Sequence, residues 1–90
     1  MNSIDYSKHA DYRQIVETIS EELRAVTSET DPFTEATDLT MDVQIDSAST
    51  MILVFALEEK FDVSVPLNEL SHIRTIGDLA ELIVKLKTQA

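Results

Sequence analysis

From Tyr12 to Val26, apolar side chains return every three or four residues, at Tyr12, Ile15, Val16, Ile19, Leu23 and Val26. That spacing keeps them on one stripe and predicts a helix of about 16 residues. Residues 27–46 lose the period and fill with Thr, Ser and Asp around Pro32, so they read as a long first loop. A connection of that length is uncommon and usually functional. Its scattered apolar residues, Phe33, Leu39, Met41, Val43 and Ile45, are expected to tack it onto the core.

A second helix is predicted from Ser47 to Lys60, with Thr50, Leu53, Val54, Leu57 and Phe61 turned inward. At about 100° per residue this leaves Ala48, Ile52, Phe55 and Glu59 outward. The segment Asp62 to Pro66 is a connector, because a residue before proline is pushed out of the helical region. Leu67 to Leu70 suits one short helical turn. Thr75-Ile76-Gly77-Asp78 opens the last helix, with Thr75 as cap and Asp78 in the first turn. Its expected inner face is Ile76, Leu79, Ala80, Ile83 and Leu86, and Lys85 and Lys87 near its end complement the helix dipole. These elements predict an all-α, four-helix bundle of three longer helices and one short one, with a long first loop. Ninety residues make one domain, 1–90, with residues 1–9 a flexible lead-in.

Charge narrows the partners. With 7 Lys and Arg against 17 Asp and Glu, the net charge is −10. Nucleic acid binding needs a basic footprint that is missing here, and an anionic membrane is disfavoured by the same sign. The longest apolar run, Met51 to Leu57, has seven residues, against roughly 20 for a membrane span. Between Ala25 and Glu59 there are eight acids and no Lys or Arg, a negative field around the start of the second helix. Protein partners should therefore carry basic patches. Absence of cysteine removes disulfides, thiolate catalysis and Cys-based metal sites and suits a cytoplasmic home, and a monomer is expected. Asp38, Asp42 and Asp46 are spaced by four but lack the glycine and later bidentate Glu of a calcium loop, so no metal site is expected. His9 and His72 have no nucleophile patterned beside them, and the lone Gly77 makes no phosphate loop. The chain reads as a non-enzyme.

Chemistry concentrates at Asp46-Ser47, where the loop becomes the second helix. A hydroxyl at a helix start sits near unpaired backbone N–H groups and the positive end of the dipole. Such a place favours an attached phosphate, although both residues also suit simple capping.

Around that junction, Asp46-Ser47-Ala48, Ala56-Leu57-Glu58-Glu59-Lys60-Phe61, Val63-Ser64-Val65-Pro66 and Thr75-Ile76-Gly77-Asp78-Leu79 together resemble the acyl carrier protein family. The likeness runs from Leu39 to Val84 and more loosely over the first helix. It implies that Ser47 carries phosphopantetheine, with Asp46 helping the modifying enzyme hold its metal. It implies an acyl cleft of Leu53, Val54, Leu57, Phe61, Ile73, Ala80 and Ile83. It further implies a partner surface of Asp42, Ala48, Met51, Ile52, Phe55, Glu58 and Glu59. Implied partners are a phosphopantetheinyl transferase and acyl-loading, acyl-transfer or condensing enzymes of lipid or secondary-metabolite synthesis. Gln44 stands where the family usually has Gly, and Ala48 where it has Leu. Ser49 and Ile52 replace acids read by general fatty-acid enzymes, which suggests a specialised carrier. A peptidyl or aminoacyl carrier fits Gln44-Ile45 less well, and an unmodified acidic interaction protein would not need Ser47 beside Asp46.

Overall fold

The computed structural model describes residues 5–27, 33–43 and 45–89. Pro32, the acids Glu29 and Asp31, and the Gln44 departure lie outside the described residues. Among the described residues four α-helices follow in order: α1 Tyr12–Thr27, α2 Ser47–Phe61, α3 Leu67–Leu70 and α4 Ile76–Gln89. Part of the expected lead-in, Tyr6–Lys8, forms a 3₁₀ turn that Asp5 caps and that packs against α4 and α1. No described helix is long and apolar enough to cross a membrane.

α1 forms where its stripe requires. Tyr12, Ile15, Val16, Ile19 and Leu23 are buried, and Val26 packs partly against them. Ser20 is buried on the same side, and its hydroxyl donates to the Val16 carbonyl at 2.9 Å, which satisfies the polar group within its own helix. α2 starts at Asp46, whose carboxylate caps it, and stops at Asp62 in a left-handed conformation with φ 54° and ψ 50°. A non-glycine residue there is unusual, but aspartate tolerates it better than most, and the Asp62 N–H still closes the helix on the Glu58 carbonyl. The Glu58 carboxylate then reaches forward to accept the Val65 N–H at 2.7 Å and so fixes the connector. At α4 the expected cap is present: the Asp78 N–H donates to Thr75 Oγ1 at 3.0 Å, and the Thr75 N–H to Asp78 Oδ2 at 3.2 Å.

Two expectations need correction. α4 has more than one inner face. Ile76, Leu79, Ala80, Ile83 and Val84 join the main core with α1, Leu39, Leu53 and Leu57. Leu82 and Leu86 point instead to a second cluster with Val54 and Val65. Periodicity finds a single stripe, whereas a helix with neighbours on two sides is apolar around most of its circumference. Met41 is the other correction: it is 72% exposed and not tacked to the core. It sits in a tight turn whose N–H is held by Asp38, and that turns its side chain outward.

Residues 35–39 of the long loop are held by their crossing with the start of α4. Leu39 N–H donates to the Arg74 carbonyl at 2.7 Å, Ile76 N–H to Thr37 at 3.1 Å and Gly77 N–H to Glu35 at 2.8 Å. Gly77 is needed for this approach, since a Cβ there would lie 2.8 Å from Tyr12 Oη and 3.0 Å from the Glu35 carbonyl oxygen.

Candidate functional site

Three aspartates spaced by four organise the approach to α2, each by a different bond. Asp38 Oδ1 accepts the Thr40 N–H, the Thr40 hydroxyl and the Met41 N–H, each at 2.8 Å. Asp42 Oδ2 accepts the Asp38 N–H at 2.9 Å. Asp46 Oδ1 accepts the Ser49 N–H at 2.7 Å. That last bond holds the Asp46 carboxyl below the usual carboxylate range, so it is an anion at neutral pH. All three are turn and cap residues, and no group of metal ligands occurs among the described residues.

Ser47 is the first residue of α2 and is exposed. Asp46 uses its side chain on Ser49 N–H and its carbonyl on Thr50 N–H at 2.9 Å, so capping falls to Asp46 and leaves the Ser47 hydroxyl outside this network. The N–H groups of the two residues that open the helix have no carbonyl behind them in the helix. An exposed hydroxyl beside such donors fits a phosphodiester on its oxygen.

Beside this junction lies a cavity of about 150 Å³. The loop contributes Leu39, Thr40 and Ile45, and α2 contributes Thr50, Leu53 and Val54. Leu70 of α3, Ile73 and Leu79 of α4 close the other side. Ile45 and Thr50 bracket Ser47 in the chain, which places the cavity next to the serine. Of the residues expected to line a cleft, Leu53, Val54 and Ile73 do so. Leu57, Ala80 and Ile83 are fully buried in the core behind it. Phe61 is at the far end of α2, partly buried, with the Lys87 ammonium 5.5 Å from its ring centre. The loop residues and Leu70 were not expected to line a cavity. Their sequence signal is weak because they belong to no periodic stripe.

The outer side of α2 carries Ile52 at 57% exposure and Phe55 at 60%, flanked by exposed Ala48, Glu59 and, from the loop, Asp42. Met51 is half-buried, as is Glu58, whose carboxylate is committed to Val65 N–H. His9 Nδ1 accepts the Asp11 N–H at 3.1 Å, and His72 is exposed after α3, so neither belongs to the Ser47 site.

Comparison with known proteins falls on this same region. The family model described as a phosphopantetheine attachment site matches residues 13–83. A probable acyl carrier protein of Caulobacter vibrioides is 43% identical over 49 residues, covering 54% of this chain and 57% of that protein. An acyl carrier protein of Arthrobacter sp. is 42% identical over 62 residues, covering 64% and 76%. That of Acidothermus cellulolyticus is 34% identical over 76 residues, covering 84% of this chain and 87% of its own length.

Proposed function

Because the chain belongs to the acyl carrier protein family, we propose that it carries its phosphopantetheine on Ser47 and presents acyl groups to biosynthetic enzymes. The observation that carries this assignment is the exposed Ser47 hydroxyl, first in α2, left outside the cap that Asp46 makes and adjoining an apolar cavity. When attached, phosphopantetheine supplies a terminal thiol on which an acyl group rides as a thioester. The protein's own part is to hold, shelter and present. α2 fixes the attachment point on a rigid element, the cavity removes an apolar tail from water, and a tether raises the cargo's effective concentration at each enzyme.

The acidic surface supports docking to enzymes with basic patches, with Asp46, ionised through the Ser49 N–H, beside the serine. Ile52 and Phe55 form the apolar centre of that contact, and Asp42 and Glu59 its exposed acidic rim. A carrier for general synthesis would show charge at Ile52, so this face supports a specialised lipid or secondary-metabolite pathway. The test is intact-mass measurement after incubation with coenzyme A and a phosphopantetheinyl transferase. One phosphopantetheine should add to the wild type and none to Ser47→Ala. Equal addition to both would place the attachment elsewhere, and no addition with several transferases would remove the carrier reading.

A further inference from the structure

Gly77 leaves a gap on α4 that acids surround. A Cβ there would lie 2.8 Å from Tyr12 Oη and 3.3 Å from Glu35 Cβ, so the tyrosine of α1 and the glutamate of the loop both meet the helix at this point. Glu81 follows one turn later on the same face, and helical side chains lean back toward the N-terminus, which carries its carboxylate toward the gap. Asp78 stands in the first turn of α4, and Asp5 arrives with the 3₁₀ turn that packs on that helix. Both are already caps, Asp78 for the Thr75 N–H and Asp5 for the Ser7 N–H, and they add charge more than free acceptors. Leu79, which walls the cavity beside Ser47, is about 200° round the helix from Gly77, so the gap lies on a different face of α4.

Tyr12 is 5% exposed, yet among the described residues its hydroxyl makes no hydrogen bond, and the half-buried Glu81 carboxylate makes no hydrogen bond or ion pair. No buried polar side-chain atom of the described residues is an orphan, so the hydroxyl is the part of Tyr12 that reaches the surface. Burial, then Asp5, Asp78 and Glu35, push the Glu81 carboxyl above its ordinary range. Burial, then Glu35, Glu81 and Asp78, push the Tyr12 hydroxyl up as well. The cations nearest in sequence do not relieve this. Lys85, one turn after Glu81, turns to Glu69 of α3 at 3.7 Å, and Arg13 meets Glu35 at 3.7 Å from a side chain mostly in solvent. Like charges held together without a counter-charge destabilise the fold, and a cationic ligand removes that penalty.

The acids come from separate elements and form no group of metal ligands. A planar guanidinium, with five N–H donors on a rigid fork, reaches carboxylates that do not converge on a point. We propose that the gap at Gly77 is a second docking point, on a face away from the Ser47 cavity, which receives an arginine side chain of a protein partner between Glu81 and Glu35, with Tyr12 Oη as a further acceptor. It involves neither Ser47 nor the outer face of α2, and so goes beyond the carrier reading.

The test follows backbone amide shifts of the full chain by NMR during titration with acetyl-Gly-Arg-Gly-amide, acetyl-Gly-Lys-Gly-amide and magnesium chloride at constant ionic strength. The arginine peptide should shift Gly77, Asp78 and Glu81 saturably and bind about fivefold more tightly than the lysine peptide. Glu81→Gln should weaken it about tenfold and Tyr12→Phe about threefold. The same Glu81→Gln change should raise the melting temperature by about 3 °C, because it removes repulsion. Arginine binding unchanged in Glu81→Gln, or equal shifts with all three cations, would make the gap ordinary acidic surface and overturn the proposal. A stronger response to magnesium than to arginine would make it a metal site instead. A lowered melting temperature would show Glu81 to be a structural residue, and that too would overturn it.

Discussion

The carboxylate of Asp38 and the guanidinium of Arg74 lie 3.3 Å apart across 36 residues of sequence, at the point where the long loop crosses the start of α4. The ion pair itself is exposed on the arginine side and is worth little alone. Its place matters more. Asp38 gathers the turn at Thr40 and Met41, and the same crossing brings Leu39 into the core.

The pH dependence of folding follows from this turn. The Met41 N–H, then the Thr40 hydroxyl and N–H, hold the Asp38 carboxyl far below its ordinary 3.8, at about 2. A depressed carboxylate stabilises the fold fully above its unfolded value, and that stabilisation disappears as pH falls through the folded value. Stability should therefore drop between about pH 4 and pH 2. Asp38→Asn should be less stable at pH 7 and should lose less on acidification. Denaturant midpoints at pH 2.5, 4 and 7 check this; identical acid slopes for the two proteins would show that other carboxyls govern the transition.

Gly77→Ala tests the crossing directly. The added methyl meets Tyr12 Oη and the Glu35 carbonyl oxygen, and the backbone atom has little room to withdraw. Alanine favours a helix by about 1 kcal/mol over glycine, but overpacking costs about 1–3 kcal/mol, so the net effect is destabilising. Urea titration should show it, and adding Tyr12→Phe, which removes the closest atom, should restore part of the loss.

Some of this architecture was legible in the sequence and some was not. Helix positions, the Asp46 and Thr75 caps and the outward Ile52 and Phe55 follow from spacing and local chemistry. They depend on residues at most four apart. The Asp38–Arg74 crossing, the Glu58 bond to Val65 and the loop side of the cavity pair residues with no shared period. Met41 misled because an apolar residue in a loop says nothing about the direction of its turn. In α4, Leu82 and Val84 interrupt the expected stripe because the helix has neighbours on two sides.

Net charge predicts a salt response. Among the described residues, Arg13, Lys60, Arg74, Lys85 and Lys87 pair with Glu35, Glu22, Asp38, Glu69 and Asp11, yet the chain as a whole keeps a net charge of −10. Screening their repulsion with 0.5 M sodium chloride should raise the melting temperature by about 5 °C, equivalent to about 1 kcal/mol. Millimolar magnesium should act in the same direction. A melting temperature that is flat across ionic strength would show that the acids are too far apart to repel.

The outer face of α2 predicts partner choice. Ile52→Glu puts an unpaired charge into the centre of the proposed contact and should weaken binding to the cognate acyl-handling enzyme about tenfold or more. Helix content should not change, because residue 52 is exposed. The same variant should be read better by general fatty-acid enzymes. Loading rates with both enzyme sets, for Ile52→Glu and Phe55→Ala, decide the matter; unchanged cognate rates would make this face ordinary surface.

The burial of α4 on two sides has a consequence for how the molecule is made. The 3₁₀ turn, the α1 stripe, the loop at Leu39 and the connector at Val65 all pack with it. During synthesis those parts leave the ribosome first, with their apolar sides facing nothing. α1 and α2 can meet, but the wall that dries both clusters is still inside the exit tunnel. Neither cluster can close until residues 76–89 are available to it, so packing of the core waits for α4.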